Sequence, residues 1–204
     1  MARAGRKRSD VTLIAVTKKF PAAVIVEAYE LGLRHFGENY VQEWETKHPA
    51  VAGLSGVEFH LIGHLQSNKA RIAAQLFQVI QTVDSAKLAR RLNDAGTPLE
   101  VMIEVKLSAE ESKGGAAPEE LPALIDAIRA CPHLRLTGLM TMPPWSDDPE
   151  QTRPYFRRLA ALGQAHGLAK LSMGMSSDLE AGIEEGATHI RVGTALFGAR
   201  PKTP

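Results

Sequence analysis

Val11-Thr12-Leu13-Ile14-Ala15-Val16-Thr17-Lys18-Lys19-Phe20-Pro21 is an apolar, β-rich run that ends on two lysines and a proline, and Ala22–Leu31 follows it with a helical pattern. This strand-then-helix unit recurs along the chain, and the recurrence decides the fold. A lysine that closes a buried strand is also chemically informative. Burial disfavours the ammonium form, and a neutral amine is a nucleophile able to form a Schiff base with an aldehyde.

Further strand candidates are Arg34–Gly37, Glu58–Ile62, Val79–Thr82, Leu99–Val105, Arg135–Met140, Lys170–Ser172 and His189–Val192. Helix candidates lie at Tyr40–Lys47, Ser67–Leu76, Ala86–Asn93, Glu119–Ala130, Pro149–Ala165 and Ser177–Glu184. Leu121, Leu124, Ile125 and Ile128 recur at offsets of three and four, which puts them on one helical face. Gly32, Gly96, Gly167 and Gly186 each follow a helix candidate, where a left-handed terminating residue is expected. Pro118 and Pro149 sit at helix starts, where a missing N–H costs little. Pro49–Gly56 and Ser108–Ala117 read as the longest turn-rich connections.

Strict alternation of eight strands and seven helices fits an α/β protein of one domain, a (β/α)8 TIM-type barrel with parallel strands inside a ring of helices. A doubly wound open sheet has the same alternation, since pattern alone does not show closure. The strands read as apolar on both sides, as parallel strands covered on both faces should.

The chain has 204 residues, 44% hydrophobic and 23% charged, enough for one sizeable core. A formal net charge of +1 gives no electrostatic case for nucleic acid or membrane binding. Arg3, Arg6, Lys7 and Arg8 make residues 1–10 a basic segment expected to be solvated and mobile. No run approaches the length of a membrane span, and Cys131 stands alone, so a cytoplasmic protein without disulfides is expected. The seven histidines show no metal-ligand spacing, so no metal site is expected.

In a barrel, chemistry belongs at the C-terminal ends of strands. Lys18, Glu38-Asn39, His64, Gln66, Met142, Ser172–Ser176 and Gly193-Thr194 all fall there. Leu171–Asp178 and Arg191–Gly198 are small-residue loops after strands 7 and 8, a usual place for phosphate groups in barrels. Arg191 is either a salt-bridge partner of a rim carboxylate or a fixed cation facing a ligand. Asn39 and His64 are ligand contacts or loop caps. Glu43 is expected to point away along its helix, so Glu38 and Glu43 make no acid/base pair. Met140, Met142, Met173 and Met175 are a soft lining or core filler.

Ala15–Lys18, Phe36–Glu43, Phe59–Lys69, Val83–Ser85, Glu110–Gly115, Gly138–Met140, Leu171–Asp178 and Arg191–Arg200 occur in order over nearly the whole chain. Together they closely resemble the pyridoxal phosphate homeostasis proteins, also called proline synthetase co-transcribed homologues. The resemblance implies a barrel of the alanine racemase N-terminal kind over residues 11–200, with 201–204 as a tail. It implies pyridoxal 5′-phosphate (PLP) as cofactor, with Lys18 as the covalent Schiff-base lysine. Asn39 would lie beside the cofactor, Ser176, Gly193 and Thr194 would hold its phosphate, and Arg191 would face the pyridine nitrogen.

A guanidinium only donates, so a ring nitrogen facing it stays unprotonated, a poorer electron sink. The implied role is therefore intracellular PLP buffering or delivery, with consequences for amino-acid and keto-acid balance, by a monomer that hands the cofactor to PLP-requiring apo-enzymes. A low-activity amino-acid racemase is the alternative. Alanine racemases supply a tyrosine acid/base from a second domain, whereas Tyr29, Tyr40 and Tyr155 here all fall in helix candidates. Family members usually carry a helix before the first strand, and it is expected to be shortened or missing here.

Overall fold

In the computed structural model, which describes residues 1–108, 110 and 114–199, eight parallel strands close into a barrel by pairing β1 (Thr12–Val16) with β8 (His189–Val192). Between these lie β2 (His35–Glu38), β3 (Glu58–Leu61), β4 (Val79–Val83), β5 (Leu99–Glu104), β6 (Leu134–Met140) and β7 (Lys170–Met175). The order around the barrel is the order in sequence, which settles closure against an open sheet. The outer ring is α1 (Ala22–Glu30), α2 (Val41–Val51), α3 (Ala70–Leu76), α4 (Ala86–Asn93), α5 (Leu121–Arg129), α6 (Arg153–His166) and α7 (Leu179–Glu184), with a short α8 (Thr194–Phe197) after β8.

The helices are held by the faces their periodicity defines. Leu121, Leu124, Ile125 and Ile128 of α5 are all buried, and each such side chain contributes roughly 2 kcal/mol on leaving water. Trp44 of α2 is fully buried against Phe59 and Phe77, with its indole N–H donating to the Leu76 carbonyl. The four glycines expected to terminate helices have φ between 66° and 100°. Pro118 and Pro149 open 3-10 turns that lead into α5 and α6.

Several elements depart from the sequence reading. Helix α2 continues past Lys47 and through Pro49 to Val51, because Val51 is buried in the core at the helix end. Strand β7 runs on to Met175, with a register shift against β8. The Met173-Gly174-Met175 run reads as a loop, but Gly174 at φ 90° keeps the strand against α7, where Gly182 Cα lies close enough to meet any added side chain. Thr194–Phe197 forms a helical turn where a loop was expected. Residues Ala2–Ala4 and Arg8–Asp10 form 3-10 turns before β1. Arg6 donates to the carbonyls of Ile183 and Ala187, and Arg3 pairs with Glu180, so this basic segment lies on α7 rather than free in solvent.

The strands are buried on both faces, but they are not apolar on both. Alternate residues point outward and inward along each strand. The outward set, including Ala15, Phe36, Phe59, Leu61 and Ile80, packs against the helices. The inward set includes His60, Gln81, Glu104, Ser172, His189 and Arg191, all buried. Hydrogen bonds offset the cost of burying these groups. They also run a polar column through the barrel interior, beside inward apolar residues such as Ile14, Met102 and Met140.

Candidate functional site

The C-terminal ends of β1, β2, β3, β7 and β8 open onto a cleft of about 580 Å³ lined by Lys18, Asn39, Ser176, Arg191, Gly193 and Thr194. All six candidate residues for the implied cofactor therefore meet in one place. Val16, Ile62, Met142 and Met175 give it an apolar side. Met140 and Met173 are fully buried instead, as core filler.

Lys18 is half-buried directly after β1. Lys19 turns the chain there with φ 65°, a left-handed conformation costly for a residue with a Cβ. The Lys19 backbone N–H donates to Glu43 Oε1 at 2.5 Å, and Glu43 also pairs with Lys47. Glu43 thus does not point away along its helix, as expected from sequence; it holds the turn that follows Lys18. Lys47 reaches further in, donating to the Thr17 carbonyl and to Glu38 Oε1, each at 2.9 Å. Glu38 is fully buried, and burial pushes its carboxyl up despite Lys47 and the Thr17 hydroxyl.

On the opposite wall, the backbone N–H groups of Gly193 and Ala195 converge on Ser176 Oγ at 3.4 and 3.3 Å. Ser177 and Thr194 flank them in the cleft. Two amides and three hydroxyls form a neutral donor set suited to phosphate oxygens.

Arg191 forms the floor. Its Nη1 donates to Ser172 Oγ at 2.7 Å and its Nη2 to the Thr141 carbonyl at 2.9 Å. The guanidinium is thus clamped by a hydroxyl and a carbonyl. Burial lowers its pKa to about 10, with Glu104 and Asp178 acting in the other direction, so it stays charged at neutral pH. A guanidinium has five N–H donors, so these two bonds leave it capacity to donate into the cleft.

Beneath Arg191 the column continues. Ser172 Oγ donates to Gln81 Oε1 at 2.7 Å, and Gln81 Nε2 lies 3.1 Å from His60 Nδ1. Burial pushes the His60 imidazole down, and His189 falls to about 3 mainly from burial. Glu58 is held well below the carboxylate range by hydrogen bonds from His35 and His60.

Two features of the cleft were not singled out from sequence. Trp145, largely exposed, lines it from the loop after β6, and its position past a strand end was the available signal. Ser177 entered the sequence reading only as the first residue of a helix candidate within the Leu171–Asp178 loop. His64 lies outside this cleft, on a neighbouring hollow with Gln66 and Tyr40, 3.8 Å from Asp84. In the Glu110–Gly115 motif, residues 111–113 lie outside the described residues, as do Arg200 and the 201–204 tail.

A closed (β/α)8 barrel with a lysine after its first strand and a phosphate-type donor set after its last two defines a class of cofactor-site barrels. The chain belongs to the alanine racemase N-terminal domain family, whose model matches residues 2–201. It is 49% identical to the pyridoxal phosphate homeostasis protein of Pseudomonas aeruginosa, covering 97% of this chain and 88% of the relative. The protein of the same name from Escherichia coli is 44% identical over 97% of this chain and 89% of its own. Among solved structures, PipY of Synechococcus elongatus with PLP bound superposes with a TM-score of 0.86 at 40% identity, covering 97% of both chains. Alanine racemase of Clostridium difficile shares the fold with a TM-score of 0.76, at 14% identity and over 54% of its length.

Proposed function

We propose that this protein binds PLP in the Lys18 cleft and serves intracellular PLP homeostasis by holding and handing on the cofactor. The observation that carries this reading is the meeting of Lys18, Arg191 and the Ser176–Gly193–Thr194 donor set in one cleft. Relatives named for PLP homeostasis, and a structure of 40% identity with PLP bound, support it.

The donor set fits the group. Lys18 supplies an amine for an aldehyde, so a Schiff base to Lys18 is the proposed attachment. Ser176, Thr194 and the amides of Gly193 and Ala195 supply donors for the phosphate, Asn39 lies alongside, and Arg191 offers N–H donors to the ring nitrogen. When bound, PLP supplies an electrophilic carbonyl and an electron-withdrawing ring. Arg191, which only donates, leaves that ring nitrogen unprotonated and so limits the electron withdrawal.

Holding and release, rather than racemisation, is the role we assign. Among the described residues lining the cleft there is no tyrosine. Tyr29 packs under Arg34, Tyr40 precedes α2 and Tyr155 lies in α6. The protein acts as a monomeric, cytoplasmic barrel domain over residues 11–200 that transfers PLP to apo-enzymes. Among the described residues no helix is long and apolar enough to cross a membrane.

Native mass spectrometry of the full chain supplied with PLP tests binding. One covalent PLP mass is expected in the wild type and none in Lys18→Ala; an unmodified wild type overturns the reading. Incubating the loaded protein with single L-amino acids in deuterated water tests the role. Negligible α-deuterium incorporation is expected, and catalytic incorporation abolished by Lys18→Ala would assign a racemase instead.

A further inference from the structure

The opposite mouth of the barrel, at the N-terminal ends of the strands, carries a cluster that cofactor binding does not use. His35 and Glu58 are register partners at the starts of β2 and β3, and His60 lies two residues further along β3 on the same inward face. His35 Nδ1 is 3.2 Å from His60 Nε2 and 3.3 Å from Glu58 Oε1, and His60 Nε2 is 3.2 Å from that same oxygen. The three atoms form a nearly equilateral triangle.

Protons fill this triangle only with crowding. The carboxylate oxygen only accepts. If both rings donate to it, two N–H groups 3.2 Å apart at their nitrogens converge on one oxygen. If one ring keeps a bare nitrogen, that lone pair faces the oxygen. A cation at the centre instead takes all three lone pairs at once.

The dimensions agree with that solution. A tetrahedral ion with bonds of about 2.0 Å holds its ligand atoms about 3.3 Å apart. We propose that His35 Nδ1, His60 Nε2 and Glu58 Oε1 bind a zinc-class divalent transition metal at the N-terminal mouth of the barrel. Two imidazoles and a carboxylate suit late first-row ions, zinc above all, rather than magnesium or calcium. His60 is buried, while the side chains of His35 and Glu58 are 36% and 37% exposed, so the fourth position faces water.

The surroundings supply a further requirement of such sites. A ligating histidine usually donates its other ring N–H to an oriented acceptor. Gln81 stands at His60 Nδ1. Metal at Nε2 places the proton on Nδ1; the amide meets it by turning its oxygen inward, and in that metal-bound state its NH2 donates to Ser172 Oγ, which donates to the Gln81 oxygen in the metal-free arrangement.

Sequence spacing, on which the expectation of no metal rested, could not show this site. Its ligands come from neighbouring parallel strands, so strand register rather than a linear motif brings them together. Among the described residues it is the one cluster of three such side chains placed to hold an ion.

The test uses the full chain without an affinity tag, titrated with Co²⁺ and followed by visible absorption, then competed with Zn²⁺. One equivalent of Co²⁺ with the intense bands of a four-coordinate site, displaced by one equivalent of Zn²⁺, is expected. His35→Gln and Glu58→Gln should each weaken binding at least tenfold, while Lys18→Ala should bind as the wild type does. Thermal melting should rise with Zn²⁺ in the wild type and stay flat in both glutamine variants, whose melts without metal report folding. No stoichiometric Co²⁺ signal in the wild type, or binding unchanged in well-folded His35→Gln and Glu58→Gln, overturns the site. Because Lys18→Ala separates the two mouths, failure here leaves the cofactor reading untouched.

Discussion

Arg191 and Ser172 are joined inside the barrel by a 2.7 Å hydrogen bond, and both are buried. Ser172 also donates to Gln81, so it is the link between the cation under the Lys18 cleft and the polar column below. Ser172→Ala strands a charged donor and an amide oxygen. It should cost about 1–3 kcal/mol in urea unfolding. An unchanged midpoint would mean that the column contributes nothing to stability.

The Lys47–Glu38 pair gives a pH-dependent prediction. Lys47→Met leaves Glu38 buried with only the Thr17 hydroxyl, and breaking such a pair costs about 3–5 kcal/mol at neutral pH. Burial already raises the Glu38 pKa, and loss of Lys47 raises it further. A carboxyl with a raised folded pKa contributes stability below its unfolded pKa and loses it as pH rises through the folded value. The Lys47→Met penalty should therefore be largest at neutral pH and shrink toward about pH 5. Urea midpoints of wild type and variant at both pH values check this; a penalty that grows on acidification contradicts it.

Close backbone approach fixes the rim beside Asn39. A Cβ on Gly63 would lie 2.2 Å from the Asn39 carbonyl oxygen and 2.8 Å from its Cα, and neither can swing aside. Gly63→Ala should destabilise by about 3 kcal/mol and weaken PLP retention, since β2 and β3 must part next to the cleft. Gly53→Ala, with nothing within 4 Å, is the control and should melt as the wild type does.

Glu43 buttresses the turn after Lys18 without entering the cleft. Glu43→Ala removes the acceptor of the Lys19 N–H and one partner of Lys47. A charge-assisted bond of this kind is worth about 1.5–3 kcal/mol, and chemical denaturation reads that loss. Lys19→Gly should recover part of it, about 1 kcal/mol, by relieving the left-handed turn. A double variant no more stable than Glu43→Ala would show that the turn is unstrained.

The alternation of strands and helices was legible because each element carries its own signal: the α5 stripe, the terminating glycines and the prolines at helix starts. Closure was legible only through the family motifs and not from the alternation, because the β1–β8 pairing joins the two ends of the barrel and leaves no local mark. The six cleft residues were legible through strand ends and family motifs together. Glu43 was misread because a helical periodicity says nothing about a neighbouring turn. The polar column was missed for a related reason. His35, His60, Gln81, Ser172 and Arg191 sit at single inward positions on separate strands, and only the register stacks them.

The central claim is that Lys18 holds PLP covalently. Borohydride reduction of the PLP-loaded protein, followed by peptide mapping, tests it most directly. The account predicts loss of the near-visible absorption band and a reduced pyridoxyl adduct on Lys18 in the peptide that contains the strand end. Adduct on Lys19, adduct scattered over surface lysines, or no adduct at all would contradict it.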